Sequence, residues 1–390
     1  MSGNFCIVNS LRKITAIVSF FGGLFFSAHA NFSSIYVFGD SLSSTATNGV
    51  IGTSATNLYY GPRYSNGRAW VEVLAQRQGL GANSISNFNW AYSSNNLSYY
   101  YHLSSNVVTD VKNFTAPANA SNCLFVVWVA NADFVADMLT FGPPDNGTNI
   151  VTWTNNINQS LTNHFNIITN LYAKGCRTLV APNAADVTTI PQWNASGAAY
   201  RAFVRQRISS FNTNYAALLK QFSTNVNYPS LTICSPDIFT LLDNVEAGAT
   251  NYGLFKATNT SGQITSVLGT SSLSPWPLNG SGTNYIFWDY LGNPTAKMGE
   301  IIADTVQTNL SPVQFKGITP TGSSNQLNAL NLPVGMTNGF VLFATNLTQA
   351  VWLTNSTFSC VTVTQAIPVI PTNSSRFYRL QLPSYQWSWP

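Results

Sequence analysis

The stretch Ile35-Tyr36-Val37-Phe38-Gly39-Asp40-Ser41-Leu42 decides the fold of this chain. It opens with a short apolar run whose length is typical of a buried strand, and Gly39 then allows a tight turn. Ser41 is thereby placed at the carboxyl end of the strand, where open α/β sheets carry their chemistry. The stretch predicts a nucleophilic serine at that edge. A plain strand-ending turn is the alternative, because Gly, Asp and Ser are common turn residues.

Short β-rich runs alternate with helical patterns on both sides of this stretch, which predicts βαβ units and a parallel sheet. The strands are predicted at 35–38, 84–88, 124–129, 178–181 and 231–234. Two long helices, at 151–172 and 198–222, carry apolar residues at helical spacing and are expected to pack on the sheet.

A last helix is indicated by Asn293-Pro294-Thr295, with Asn293 as its cap and Pro294 at its first position, and it should end near Leu310. Residues 31–310 thus form the main domain, 311–325 a linker rich in Gly, Ser and Pro, and 326–390 a small β-rich domain. Strands in that domain are predicted at 340–343, 351–353, 360–363 and 377–382.

The composition excludes several classes of protein. Of 390 residues, 45% are hydrophobic and 8% charged, so the chain is too apolar to be disordered. Residues 1–30 indicate a secretory signal peptide: Arg12 and Lys13 precede an apolar stretch that ends in Ala28-His29-Ala30. An uncleaved membrane anchor is the alternative. Cleavage leaves 15 basic and 13 acidic residues, and no basic cluster indicates nucleic acid binding.

Four cysteines follow the leader: Cys123, Cys176, Cys234 and Cys360. They lack metal-ligand spacing, so no metal site is predicted. Export permits disulfides, but the sequence does not determine which cysteines would pair. Buried free thiols are at least an equal expectation.

Four further motifs join the serine stretch in order along residues 35–310. They are Tyr64-Ser65-Asn66-Gly67-Arg68-Ala69-Trp70-Val71-Glu72, Asn89-Trp90-Ala91-Tyr92-Ser93-Ser94, Trp128-Val129-Ala130-Asn131-Ala132-Asp133-Phe134, and Phe287-Trp288-Asp289 with Asn293-Pro294-Thr295. Together with Phe38–Ser43 they resemble the GDSL (SGNH) hydrolase family of esterases and lipases. The resemblance implies a flavodoxin-like three-layer α/β sandwich with a central parallel sheet, to which this chain adds a C-terminal β appendage.

The resemblance also implies roles for residues. Ser41 corresponds to the nucleophile, and its N–H, the Ser93 N–H and the Asn131 side chain correspond to oxyanion donors. Asp289 takes the acid position of the triad, and no metal or organic cofactor is implied. Ser93 stands where the family has glycine, and Asn131 is one position early, so a small backbone shift is needed to bring it into place.

The last motif departs most from the family pattern. One extra residue separates Asp289 from Pro294, and Asn293 stands where the family has its histidine. Asparagine cannot accept a proton near neutral pH, and general-base help is worth about 10² to 10⁴ in rate. Capping of the last helix is an alternative explanation of Asn293.

Two histidines outside the leader are candidates for a substitute base. His164 falls on the apolar stripe of its helix, where a core histidine is the commoner case. His102 follows three tyrosines after the Ser93 motif and is the candidate base.

These features support two functional hypotheses of different classes. The first is a secreted, periplasmic or cell-surface serine ester hydrolase acting on a lipid or acylated carbohydrate, with no integral membrane span after leader cleavage. The second is a catalytically impaired hydrolase fold that binds a glycan or acyl polymer, which the missing histidine favours. Surface attachment through the C-terminal region is a third hypothesis.

Overall fold

The computed structural model describes residues 6–8, 32–45, 59–61, 63–88, 103–141, 147–268, 281–321, 324–346, 351–370, 376–384 and 387–388. The chain divides into two compact units. One comprises 32–75 and 80–309, and the other comprises 1–31, 76–79 and 310–390.

The elements are named in chain order. The strands are β1 (Cys6–Val8), β2 (Ile35–Gly39), β3 (Ile85–Phe88), β4 (Leu124–Trp128), β5 (Thr178–Val180), β6 (Thr232–Cys234), β7 (Gln314–Thr321), β8 (Ser324–Leu330), β9 (Gly339–Ala344), β10 (Leu353–Phe358), β11 (Thr364–Val369), β12 (Arg376–Gln381), β13 (Pro383–Ser384) and β14 (Trp387–Ser388). The helices are α1 (Trp70–Arg77), α2 (Leu103–Asn113), α3 (Ala130–Thr140), α4 (Gly147–Ala173), α5 (Ala198–Thr224), α6 (Ile238–Ala247) and α7 (Ala296–Leu310).

The larger unit is built on a five-stranded parallel sheet of order β3-β2-β4-β5-β6. Counted from its own first strand, this is the order 2-1-3-4-5 of flavodoxin-like folds. The strand β2 pairs with both β3 and β4, so the residues after it emerge where the strand order reverses. The predicted α/β fold with a central parallel sheet is confirmed.

The core of this unit forms because its strands are apolar on both faces. All five residues of β4 are buried, as expected of a central parallel strand covered by helices. The helix α5 contributes its apolar stripe, with Val204, Ile208, Phe211 and Tyr215 fully buried. Burial at this spacing explains why the two long helices were predictable from sequence.

The smaller unit is antiparallel. One sheet has the order β1-β12-β9-β10, a second has the order β11-β8-β7, and β13 pairs with β14. Its core includes Leu327, Leu332, Val341, Ile367 and Leu380. The predicted C-terminal β region is therefore confirmed. Because β1 belongs to the predicted leader, cleavage after Ala30 would leave β12 at the edge of its sheet.

The boundaries predicted inside this region were partly wrong. Residues 311–325 are not a linker, because β7 runs through 314–321 and pairs along its length with β8. Pro320 suggested a loop, yet it is tolerated because β7 is an edge strand. The strands predicted at 351–353 and 360–363 lie instead at β10 and β11.

Within the described residues, no helix has both the length and the apolar character needed to cross a membrane.

Candidate active site

Ser41 lies directly beyond the carboxyl end of the inner strand β2. Gly39 is still part of that strand and pairs with Trp128, so the turn begins at Asp40. Residues Ser41–Ser43 form one turn of 3₁₀ helix, and the Asp40 carboxylate caps it by accepting the Leu42 N–H at 3.0 Å. The indole N–H of Trp70 donates to Ser43 Oγ at 3.0 Å and secures the far end of the turn. These two hydrogen bonds therefore hold the turn that carries Ser41 in place.

A cavity of about 410 Å³ opens beside Ser41. Its walls are mostly apolar, and they include Leu103, Val135, Val187, Leu242 and Ile302. Among the described residues, the polar side chains that line it include Asp40, Ser41, Tyr64, Asn131 and Asn293. An apolar pocket with a few convergent polar groups is the usual form of a small-molecule site.

Asn131 reaches this cavity from the first turn of α3. Its Oδ1 accepts the Ala185 N–H at 2.8 Å, which fixes the orientation of the amide. The Nδ2 atom is buried and has no hydrogen-bond partner among the described residues. Asn131 and Ser41 therefore line the same cavity despite the shift in sequence position.

Asp289 and Asn293 form a buried pair next to the cavity. Asn293 Nδ2 donates to Asp289 Oδ2 at 2.8 Å, and the Asn293 N–H donates to Asp289 Oδ1 at 3.2 Å. Asn293 lines the cavity, whereas Asp289 lies behind it. The Asn293 amide is therefore hydrogen-bonded to Asp289 at the position where the family resemblance places a histidine.

The extra residue in this motif is accommodated by a tight turn. The Gly292 N–H donates to the Asp289 carbonyl at 3.1 Å, and Gly292 adopts a φ of +86°. A Cβ atom at this position would lie 2.7 Å from Ile190 Cγ2. Only glycine fits both the left-handed backbone and the close approach, and the turn returns Asn293 to Asp289.

The interpretation of Asn293 as a helix cap is wrong. The helix α7 begins at Ala296, and Thr295 Oγ1 caps it by accepting the Met298 N–H at 3.2 Å. Pro294 forms a β-bridge with Phe287 and precedes the helix. Local sequence suggested a cap, but the tertiary contact with Asp289 determines where the Asn293 side chain lies.

The Tyr64–Glu72 motif holds the Asp289–Thr295 segment in place through two hydrogen bonds. Ser65 Oγ donates to the Pro294 carbonyl at 2.9 Å, and Asn66 Oδ1 accepts the Ala296 N–H at 2.8 Å. These contacts span about 230 residues of sequence, so they could not be assigned from spacing. They explain why the Tyr64–Glu72 and Asp289–Thr295 motifs occur together.

Sequence reasoning also missed Tyr59. Its hydroxyl donates to Asp289 Oδ2 at 3.1 Å, and burial followed by the Asp289 charge raises the pKa of Tyr59, so the hydroxyl keeps its proton. Burial raises the pKa of Asp289 from 3.8 to about 6, although hydrogen bonds from Asn293, Tyr59 and the Leu291 N–H oppose this shift. Above that pH Asp289 is an ionised acceptor. No pattern in the sequence pointed to Tyr59.

Asp40 is the second buried carboxyl group at the cavity. Burial raises its pKa to about 7, and the nearby Asp133 charge acts in the same direction, while the hydrogen bond from the Leu42 N–H lowers it. Its contact with Leu42 agrees with the predicted local structural role. The cavity wall is therefore close to two carboxyl groups and unfavourable to anions.

His164 is not brought together with Ser41. His164 is buried in the core, where Nδ1 lies 2.8 Å from the Ser160 carbonyl and the ring packs on Tyr215. Burial lowers the pKa of His164, so it is a neutral core residue, as its position on the helix indicated. His102 and Ser93 lie outside the described residues.

The four cysteines after the leader are buried free thiols. Burial raises the pKa of Cys234 and Cys360 to about 12, so both stay protonated at neutral pH. Of the two expectations for these residues, the structure supports free thiols.

The comparisons with known proteins agree with this geometry. Residues 35–306 match the family model described as GDSL-like lipase/acylhydrolase, a span that includes β2, the cavity and most of α7. No curated protein matches the chain. The match begins at the strand that delivers Ser41 and extends past Asn293, so the chain belongs to the GDSL-like lipase/acylhydrolase family.

Proposed function

We propose that the protein is a serine ester hydrolase whose cavity takes the acyl chain of its substrate. The observation that carries the proposal is that Ser41 and Asn131 line one apolar cavity. Ser41 Oγ would attack the acyl carbon, and the carbonyl oxygen would acquire negative charge. Asn131 Nδ2 supports this step because a positioned donor stabilises such an oxyanion.

The size of the cavity favours an acyl chain over an acetyl group. A cavity of about 150 Å³ lined by Leu, Ile and Phe binds benzene, with six carbons, so 410 Å³ corresponds to on the order of sixteen carbons. Each buried methylene contributes about 0.8 kcal/mol, or roughly fourfold in affinity. We therefore propose an ester with a medium to long acyl chain as the substrate.

The serine proton needs an acceptor. Asn293 cannot accept it, and Asp289 is separated from the cavity by Asn293. His102 is the proposed base, and its position after the Ser93 motif supports this assignment. Without it, hydroxide would take the proton, and the rate would rise with pH up to the alkaline range.

Hydrolysis of p-nitrophenyl esters tests the proposal. We expect kcat/KM for the octanoate to exceed that for the acetate by at least tenfold, and Ser41→Ala to abolish both activities. Activity that survives Ser41→Ala would exclude Ser41 as the nucleophile. A preference for acetate would exclude the cavity as the acyl site.

A second function is favoured by Asn293 itself. A side chain that bridges to Asp289 but cannot carry a proton suits binding of an acyl compound without turnover. Acyl-chain binding that is unchanged by Ser41→Ala, in a protein that hydrolyses none of these esters, would support it over catalysis.

We also propose that the protein is exported, on the strength of the leader at 1–30. Amino-terminal sequencing of protein recovered outside the cytoplasm should then begin at Asn31. A recovered chain that still carries Arg12 and Lys13 would contradict cleavage.

A further inference from the structure

One face of the helix α3 lines the cavity over two turns. Asn131, Val135 and Leu139 all line the cavity, and each is four residues from the next. Residues at this spacing lie on the same face of a helix. Their exposure rises along the helix, because Asn131 is buried, Val135 is partly buried and Leu139 is 45% exposed. The cavity therefore extends along α3 and reaches the protein surface at Leu139.

The Ser41 end of the cavity lies at the start of this helix. Gly39 pairs with Trp128 on the neighbouring parallel strand, so Ser41 and Asn131 both follow at the same edge of the sheet. From there α3 leads away from the serine. A helical rise of 1.5 Å per residue places Val135 about 6 Å and Leu139 about 12 Å beyond Asn131.

The chemistry of this helix face suits a hydrocarbon chain. Beyond Asn131 its two residues are aliphatic, and none of the described residues that line the cavity is Lys or Arg. Each methylene of a ligand that is buried against such a surface is worth about fourfold in affinity. A chain that follows α3 therefore gains affinity along its whole length.

We propose that the acyl chain of the substrate lies along α3 and that Leu139 is a specificity-determining residue for its length. An extended chain advances about 1.2 Å per bond, because a residue of three backbone bonds spans about 3.6 Å. With the acyl carbon beside Ser41, the chain reaches Val135 after about five bonds and Leu139 after about ten. Leu139 thus contacts acyl chains longer than octanoyl, and its exposure leaves the cavity open to them.

The inference rests on the proposed function, because it places the acyl carbon beside Ser41. It adds the direction of the chain and the residue that distinguishes its length, neither of which follows from the nucleophile alone. A chain could instead follow Ile238 and Leu242, which also line the cavity from one face of α6. Leu139 would then have no effect on the preference for chain length.

Hydrolysis of p-nitrophenyl butyrate, octanoate and dodecanoate by matched variants tests the proposal. Leu139→Ser should lower kcat/KM for the dodecanoate about fourfold relative to the octanoate, since only the longer chain loses an apolar contact. The isosteric Val135→Thr should lower kcat/KM about fourfold for both of these esters relative to the butyrate. Leu139→Met, which keeps an apolar side chain, should retain the wild-type ratios.

Val226→Ser is the control for the loss of an exposed apolar side chain. Val226 is 89% exposed, precedes β6 at the amino edge of the sheet and does not line the cavity. We expect this variant to keep the wild-type ratios among the three esters. Equal losses for all three esters in Leu139→Ser, or an unchanged ratio of dodecanoate to octanoate, would overturn the proposal.

Isothermal titration with octan-1-ol and dodecan-1-ol separates the inference from the proposed function. Neither alcohol can be hydrolysed, so its binding to Ser41→Ala protein reports the path of the chain without turnover. Adding Leu139→Ser should weaken dodecan-1-ol about fourfold relative to octan-1-ol. This loss in a protein that hydrolyses no ester would refute the proposed function and support the inference. An unchanged ratio of affinities, or no binding of either alcohol by a protein without esterase activity, would refute the inference.

Discussion

Replacing Asn293 by histidine should turn a position that only bridges into one that accepts a proton. Asn293 already donates to Asp289 Oδ2 at 2.8 Å and lines the cavity beside Ser41. A histidine there can make the same bond with one ring nitrogen and present the other towards the cavity. Because Asp289 is held by Tyr59 and by backbone N–H groups, the orienting carboxylate is already in place.

The expected gain follows from this arrangement. General-base help is worth about 10² to 10⁴, so kcat/KM for p-nitrophenyl octanoate should rise by that factor when Asn293→His is made in a His102→Ala protein, which lacks the proposed substitute base. The site is buried, and the larger ring should cost about 1 to 3 kcal/mol of stability, with the adjacent cavity offering room for it. The rate should fall below about pH 6, because the imidazole then takes a proton and so does Asp289, whose pKa is about 6.

Initial rates from pH 5 to 9 measure this effect. The double variant Ser41→Ala with Asn293→His should lose the gain, and Asn155→His, which adds a histidine at an exposed asparagine, should show none. A folded His102→Ala, Asn293→His protein that is no more active than His102→Ala alone throughout this range would refute the reasoning. It would mean that Asn293 does not occupy the position from which Ser41 can be activated.

Three further outcomes are expected. Asn131→Ala should lower kcat by about 10² to 10³ with little change in KM, and an unchanged kcat would exclude Asn131 as an oxyanion donor. Gly292→Ala should lower the free energy of unfolding, measured in urea, by more than Gly262→Ala does. Both glycines have positive φ, but only at Gly292 would a Cβ lie 2.7 Å from a neighbouring isoleucine. Equal losses of unfolding free energy would argue against this close approach. Burial raises the pKa of Asp137 from 3.8 to about 8, so the folded chain holds a proton that the unfolded chain releases. Stability should therefore fall as pH rises from about 4 to 8, and a Tm that increases between pH 5 and 8 would contradict this.

The parallel sheet was predictable because its strands are buried on both faces and appear as apolar runs. The same logic failed in the smaller unit. The strands β10 and β11 are half exposed and carry Thr, Asn and Gln, so the apolar residues beside them were mistaken for the strands. Pro320 likewise suggested a loop because an edge position cannot be recognised from local sequence.

The site was predictable where a single strand or helix places the residue. Ser41 follows β2 and Asn131 follows β4, and these strands are neighbours, so their carboxyl ends meet. The arrangement of Asn293 was not predictable, because it depends on the turn at Gly292 and on Asp289. No pattern in the sequence indicated Tyr59, because its contact with Asp289 joins residues 230 positions apart.

Labelling with a fluorophosphonate, followed by peptide mapping, tests the central claim that Ser41 is the nucleophile of this family site. The account predicts one adduct on Ser41, formed faster as pH rises. A protein that forms no adduct between pH 6 and 10, or one labelled at another residue and equally in Ser41→Ala, would contradict it.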